Sequence, residues 1–126
     1  MKKFLLSILI VFLVSCASNS PPTTTTDVCK IFKERYSWYK AAKKTEKRWK
    51  IPVYVSMAII KQESSFRADA RPERTKLLGF IPWKRVTSAR GYAQAVDGTW
   101  EMYLKDRGGW FKSRNDFEDS VDFVGW

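Results

Sequence analysis

Val55, Ile59 and Glu63 fall at i, i+4 and i+8, and Ile60 lies three positions before Glu63. At helical spacing a carboxylate therefore continues an apolar stripe instead of joining the wet face. An acid in such a place is costly unless it is paired, protonated or opened into a cleft. Two roles fit it: a structural carboxylate accepting from nearby backbone N–H groups, or a proton donor. Further along, Gly91-Tyr92-Ala93-Gln94 is a compact, turn-like segment that sets an amide beside an aromatic ring just before another helical pattern.

The element that must carry Glu63 runs through residues 51–66. Pro52 suits the first helical position, where it has no N–H to lose, and no Gly or further Pro interrupts residues 53–62. Ahead of it, Asp27 is a plausible N-cap for a helical region from about residue 28 to 49, broken near Ser37. Tyr39, Ala42 and Trp49 line one face of its second half, and Lys40, Lys43, Lys44 and Lys47 line another as a solvated stripe. Beyond Gln94, Asp97-Gly98-Thr99 leads into a helix over residues 99–105 with Trp100, Tyr103 and Leu104 inward and Gly108-Gly109 as its stop. Asn115 or Asp116 caps a last helix facing inward with Phe117, Val121 and Val124.

Residues 67–90 lack helical periodicity and hold seven basic and two acidic residues around the apolar island of residues 77–83. A connection of this length is usually functional or disordered, and the large apolar residues argue against disorder. It reads as an extended loop or short hairpin over the mouth of a cleft, with Phe80 and Trp83 packing on the core or offering rings to sugar faces.

Glu63-Ser64 followed by Gly91-x-x-Gln94 resembles the first two motifs of the SLT-type lytic transglycosylases, goose-lysozyme-like enzymes that cut peptidoglycan glycan strands. The resemblance covers roughly residues 44–126. It implies an all-α, mainly helical, lysozyme-like fold, with no cofactor, no metal and a monomeric state. Glu63 would be the single catalytic residue: it protonates the bridging oxygen, then takes a proton from the C6 hydroxyl of MurNAc, which closes a 1,6-anhydro ring. Lodged in the apolar stripe, such an acid would be held protonated by desolvation. A two-carboxylate hydrolase would instead need a partner roughly 5 to 9 Å away; Asp69, Glu73, Asp97 and Glu101 are available, and spacing singles out none.

By the same resemblance Ser64, Gly91, Tyr92 and Gln94 are the candidate substrate-binding residues. Ser64 would bond near Glu63 or the sugar, or else satisfy a helix-end carbonyl. Gln94 would contact the sugar beside the scissile bond, or bridge loops, and Gly91 would let the backbone come close. Tyr92 stands where relatives often carry Leu or another apolar residue, which points to packing. The family's third motif, of the Ala-Tyr-Asn type, does not occur before Trp126, so the domain is expected to be incomplete at its C-terminus.

Met1-Lys2-Lys3 and the apolar run of residues 4–14 have the shape of a secretory signal, too short to span a bilayer. Leu13-Val14-Ser15-Cys16 looks like a bacterial lipobox, implying cleavage before Cys16 and its lipidation. The expected organisation is a signal peptide over residues 1–15, a lipidated Cys16 and flexible tether over 16–26, and the domain over 27–126. The location is the cell envelope, at the periplasmic face of the outer membrane if the organism is diderm. Cys29 is then left unpaired, and its apolar neighbours suggest burial. With no histidine in the chain, no metal site can be assembled.

The chain of 126 residues has a net charge of +10, about +8 once Lys2 and Lys3 are removed. Such a charge attracts polyanions; the export signal excludes nucleic acid and leaves peptide-stem carboxylates and anionic headgroups. Three functions therefore stand: a peptidoglycan-cleaving lipoprotein, a non-catalytic wall-binding one, or a basic envelope protein acting through its lysine face.

Overall fold

Asp27 opens the first helix, α1 (Val28–Glu34), by accepting from the Lys30 N–H at 3.1 Å. The computed structural model describes residues 20–126. The signal peptide, Cys16 and the front of the tether lie outside the described residues. The described part of the expected tether is not loose: the N–H and Oγ1 of Thr23 donate to Glu34, and Arg35 Nη2 donates to the Ser20 carbonyl, which lays the segment along α1.

A single non-helical residue, Arg35, separates α1 from α2 (Tyr36–Trp49), two positions before the expected break. The face of α2 that is buried is Trp38, Ala41, Ala42 and Thr45, so Tyr39 turns partly outward. Lys40, Lys43, Lys44 and Lys47 are solvated as expected, with Lys43 on Glu46 and Lys44 on Glu118 at 2.8 Å. Cys29, expected inside, is exposed. Ile31, two residues on, is turned roughly 200° from it and takes the buried side.

Pro52 stands just outside the central helix, α3 (Val53–Ser64), with its carbonyl accepting from Val55. Two successive left-handed residues, Ser65 and Phe66, end α3, and Phe66 plugs into the core against Trp38. Residues 67–90 do form a short hairpin, β1 (Arg74–Leu77) and β2 (Ile81–Arg85), antiparallel with Leu77 opposite Ile81 and a bulge between Arg74 and Lys76. Its residues on both faces are exposed, Phe80 by 73% and Trp83 by 60%, so the expected packing on the core is absent. The strands satisfy each other's backbone, and neither face is covered by the helices.

α4 (Asp97–Arg107) buries Trp100 and Tyr103 and stops at Gly108. α5 (Phe117–Gly125) is capped by Asp116, which accepts from the Asp119 N–H. Among the described residues the fold is thus five helices and one two-stranded sheet, mainly helical as expected. None of these helices is long and apolar enough to cross a membrane.

α5 joins two aromatic clusters. Phe117 stacks on Trp38 with ring centroids 4.0 Å apart and Tyr92 edge-on to both, while Phe123 packs with Trp100 and Tyr103. Between them the buried Asp122 receives Arg48 Nη1 (2.7 Å), Trp49 Nε1 (2.9 Å) and the Tyr103 hydroxyl (2.8 Å), tying α2, α4 and α5 together. Burial pushes its carboxyl up, but the bonds from Trp49, Tyr103 and Arg48 outweigh that and hold it below the ordinary range. Removing one member of such a buried cluster leaves the others uncompensated, so Asp122→Ala should cost about 3 kcal/mol in urea unfolding. Because the folded carboxyl is the more acidic one, its contribution is complete above about pH 4 and vanishes as pH falls through the folded value. The gap between wild type and Asp122→Ala should narrow correspondingly in unfolding curves taken below pH 4.

Candidate active site

Glu63 lies in the last turn of α3, and its side chain is exposed. This corrects the expectation of a carboxylate sunk in the apolar stripe. The buried positions are Ser56, Met57, Ile60 and Ser64, and Glu63 lies roughly 75° round the helix from their centre, in a row with the part-exposed Ile59. The i, i+4, i+8 row drifts around the helix, so it cannot stay on one face. The structural alternative fails as well: among the described residues the Glu63 carboxylate has no hydrogen-bond or ion-pair partner. It is a free acid at the rim of the helical body.

The chain leaving α3 meets the second motif at Ala70. The Ala70 carbonyl accepts from the Gly91 N–H at 3.0 Å and from Gln94 Nε2 at 2.9 Å, and Gln94 Nε2 also donates to the Gly91 carbonyl at 3.0 Å. From the other side the Arg114 carbonyl accepts from the Tyr92 N–H. The turn is therefore strapped between the exit of α3 and the loop before α5. Gly91 has φ +81, and a Cβ placed on it would meet the Arg114 carbonyl oxygen at 1.9 Å, so glycine is required twice over. Gln94 holds a left-handed backbone and is half-buried, and among the described residues its Oε1 has no partner.

Two of the expected substrate-binding residues face inward. Ser64 is buried with Oγ donating to the Ile60 carbonyl at 3.1 Å, so its hydroxyl satisfies the helix end. Tyr92 is 3% exposed between Trp38 and Phe117, which makes it packing; burial pushes its phenol up. Of the possible second carboxylates, Asp69 is exposed beside Arg67, Glu73 and Glu101 are exposed, and Asp97 is held by Arg114 at 2.7 Å. Gly91 and Gln94 are brought to the segment that follows Glu63; Ser64 and Tyr92 support it from within.

Sequence reasoning missed a cationic recess on the same strap. A cavity of about 280 Å³ is lined by Arg71, Arg85, Arg90 and Arg114 together with Thr87 and Asp97. The Nε atoms of Arg90 and Arg114 are buried without an acceptor, each at a typical cost of about 1–3 kcal/mol. The basic excess of residues 67–90 was a signal for three of these arginines; nothing in the sequence marks Arg114.

The body is mainly helical, with an unpaired carboxylate in the last turn of its central helix and a glycine–amide turn strapped to that helix's exit. The family model described as transglycosylase SLT domain matches residues 4–126, and the chain belongs to that family. Membership implies the lytic transglycosylase class of enzyme and peptidoglycan as the material bound. No curated protein and no solved structure matches the chain.

Two of the four positive-φ glycines among the described residues, Gly91 and Gly79, separate strain from collision. Gly91→Ala combines both and should cost about 3 kcal/mol or more. Gly79→Ala, at φ +83 with nothing within 4 Å, should cost only about 1 kcal/mol, both read by urea unfolding.

Proposed function

We propose that the chain is a lytic transglycosylase that cleaves the MurNAc-β-1,4-GlcNAc bond with Glu63 as acid and then base. The observation that carries this is the Glu63 carboxyl, unpaired among the described residues, on the helix whose exit is strapped at Ala70 to the Gly91–Gln94 turn, in a member of the SLT family. Glu63 gives its proton to the bridging oxygen as the glycosidic C–O bond breaks, and GlcNAc leaves with a free hydroxyl. The resulting carboxylate takes the proton of the MurNAc C6 hydroxyl while that oxygen bonds to the anomeric carbon. The proton count closes, water is not consumed, and 1,6-anhydroMurNAc is the product.

With Glu63 exposed, the desolvation step falls in this reading to the substrate: a glycan laid over the end of α3 excludes water from the acid. Gln94, its Nε2 fixed by two carbonyls, offers Oε1 to a sugar hydroxyl, and Gly91 brings backbone close. Ser64 and Tyr92 act as positioning residues beneath. The same reading tethers the domain to the cell envelope through a lipidated Cys16, supported by the basic start, the short apolar run and the lipobox-like Leu13-Val14-Ser15-Cys16. That exposure also favours a second reading, a wall-binding lipoprotein that holds glycan without turning it over.

Purified sacculi incubated with the wild type and with Glu63→Gln separate the two. Anhydro-muropeptides should be released by the wild type and fall at least about a hundredfold in the variant, measured by mass spectrometry. Glycan pulled down by both proteins without anhydro product would hand the function to the binding reading.

A further inference from the structure

We propose that the arginine-lined cavity beside the Gly91–Gln94 turn binds a carboxylate of the peptide stem that peptidoglycan strands carry. This rests on the reading of the chain as one that acts on peptidoglycan. Four guanidinium groups line the recess, and the one carboxylate among them, Asp97, is already taken by Arg114. Arg114 is 7% exposed, with Nη1 on the Ala95 carbonyl and Nη2 on Asp97, and its buried Nε is left with no acceptor. Arg90 Nε is buried in the same condition. Thr87 Oγ1 accepts from the Ala89 N–H, which leaves its own proton to donate. Arg85 Nη1 is held by the Pro72 carbonyl, yet four guanidinium groups still face one carboxylate; that excess favours an acceptor-only anion, and planar guanidinium forks match a carboxylate in two-point fashion.

Size and place narrow the ligand. At about 280 Å³ the cavity lies just below the range for ligand pockets, roughly 300–1,000 Å³, so it takes an acidic branch and not a run of sugars. Three of its arginines adjoin the strap that holds the second motif: Arg71 follows Ala70, Arg90 precedes Gly91, and Arg114 supplies the carbonyl bound by Tyr92. A glycan in contact with Gln94 would carry its stem beside this recess. A stem is a flexible branch able to enter it, whereas the headgroups of a bilayer present a flat surface.

Calorimetry on the full chain bearing Glu63→Gln, with a synthetic stem tetrapeptide and the same peptide amidated at its carboxylates, tests this. The free acid should bind at least about tenfold tighter than the amidated form, and added salt should weaken it. Adding Arg71→Gln, the exposed arginine of the lining, should cost about tenfold in affinity with the thermal midpoint unchanged. Equal binding of the two peptides, or undiminished binding by the arginine variant, would overturn the site. Displacement by glycerol phosphate at lower concentration than by the peptide would overturn it in favour of a phosphate ligand. Because the proton donor is absent from the assay, peptide binding without anhydro-sugar release from sacculi would retire the catalytic reading and keep this site. Cleavage without peptide binding would do the reverse.

Discussion

The approach of Gly91 to the Arg114 carbonyl is the constraint on which the site depends. No side chain fits there, since a Cβ would come within 1.9 Å of that oxygen. Only because the backbone passes so closely can the Tyr92 N–H reach Arg114 while the Gly91 N–H reaches Ala70. That pair of bonds makes one unit of the exit of α3, the Gly91–Gln94 turn and the loop before α5. Tyr92 follows Gly91 directly, so the strap also drives an aromatic ring between Trp38 and Phe117. The local hydrogen bonds and the core packing thus specify the same backbone path, which is the consistency expected of a sequence that folds to one state.

α5 gives that strap its footing. Ser120 Oγ donates to the Arg114 carbonyl, two residues before Asp122 gathers Arg48, Trp49 and Tyr103. The carbonyl that excludes a side chain at position 91 is therefore oriented by the helix whose far half is fixed by the buried carboxylate cluster. Gly125 completes the same face, because a Cβ there would meet the Trp49 ring at 2.2 Å. Small residues at 91 and 125 and one buried acid at 122 let α5 lie close to both clusters.

Elements marked by local chemistry were legible from sequence. Asp27 and Asp116 cap as their types suggest, Gly108 stops α4, and α3 runs through an uninterrupted stretch to Glu63. Features decided by rotation about an axis, or by pairing across the chain, were not. Cys29 has apolar neighbours in sequence, yet its helical face points outward. Glu63 shares a row with Ile59, but the buried face follows Met57, Ile60 and Ser64. Asp122 sits among apolar residues and looks like an interruption of the inward face; its partners come from α2 and α4, which no local pattern reveals. Arg114 is the same case, since its role comes from Ala95, Asp97 and the distant turn. Gly91 differs, since its positive φ belongs to a turn that is written locally.

The arrangement also answers a problem that its charge poses. In a chain of net charge +10, most acids find a cation: Asp97 takes Arg114, Asp122 takes Arg48, Asp119 takes Lys112 and Glu118 takes Lys44. An ion pair favours the ionised form of an acid, and an acid fixed that way is a poor proton donor. Glu63 has no such pair among the described residues: Val55 and Ile59 share its row of α3, and Arg67, four residues on, is paired with Asp69. The guanidinium groups are gathered instead into the recess behind the Gly91–Gln94 strap, where Asp97 occupies one of them. The turn that joins this recess to the exit of α3 carries no charged side chain of its own.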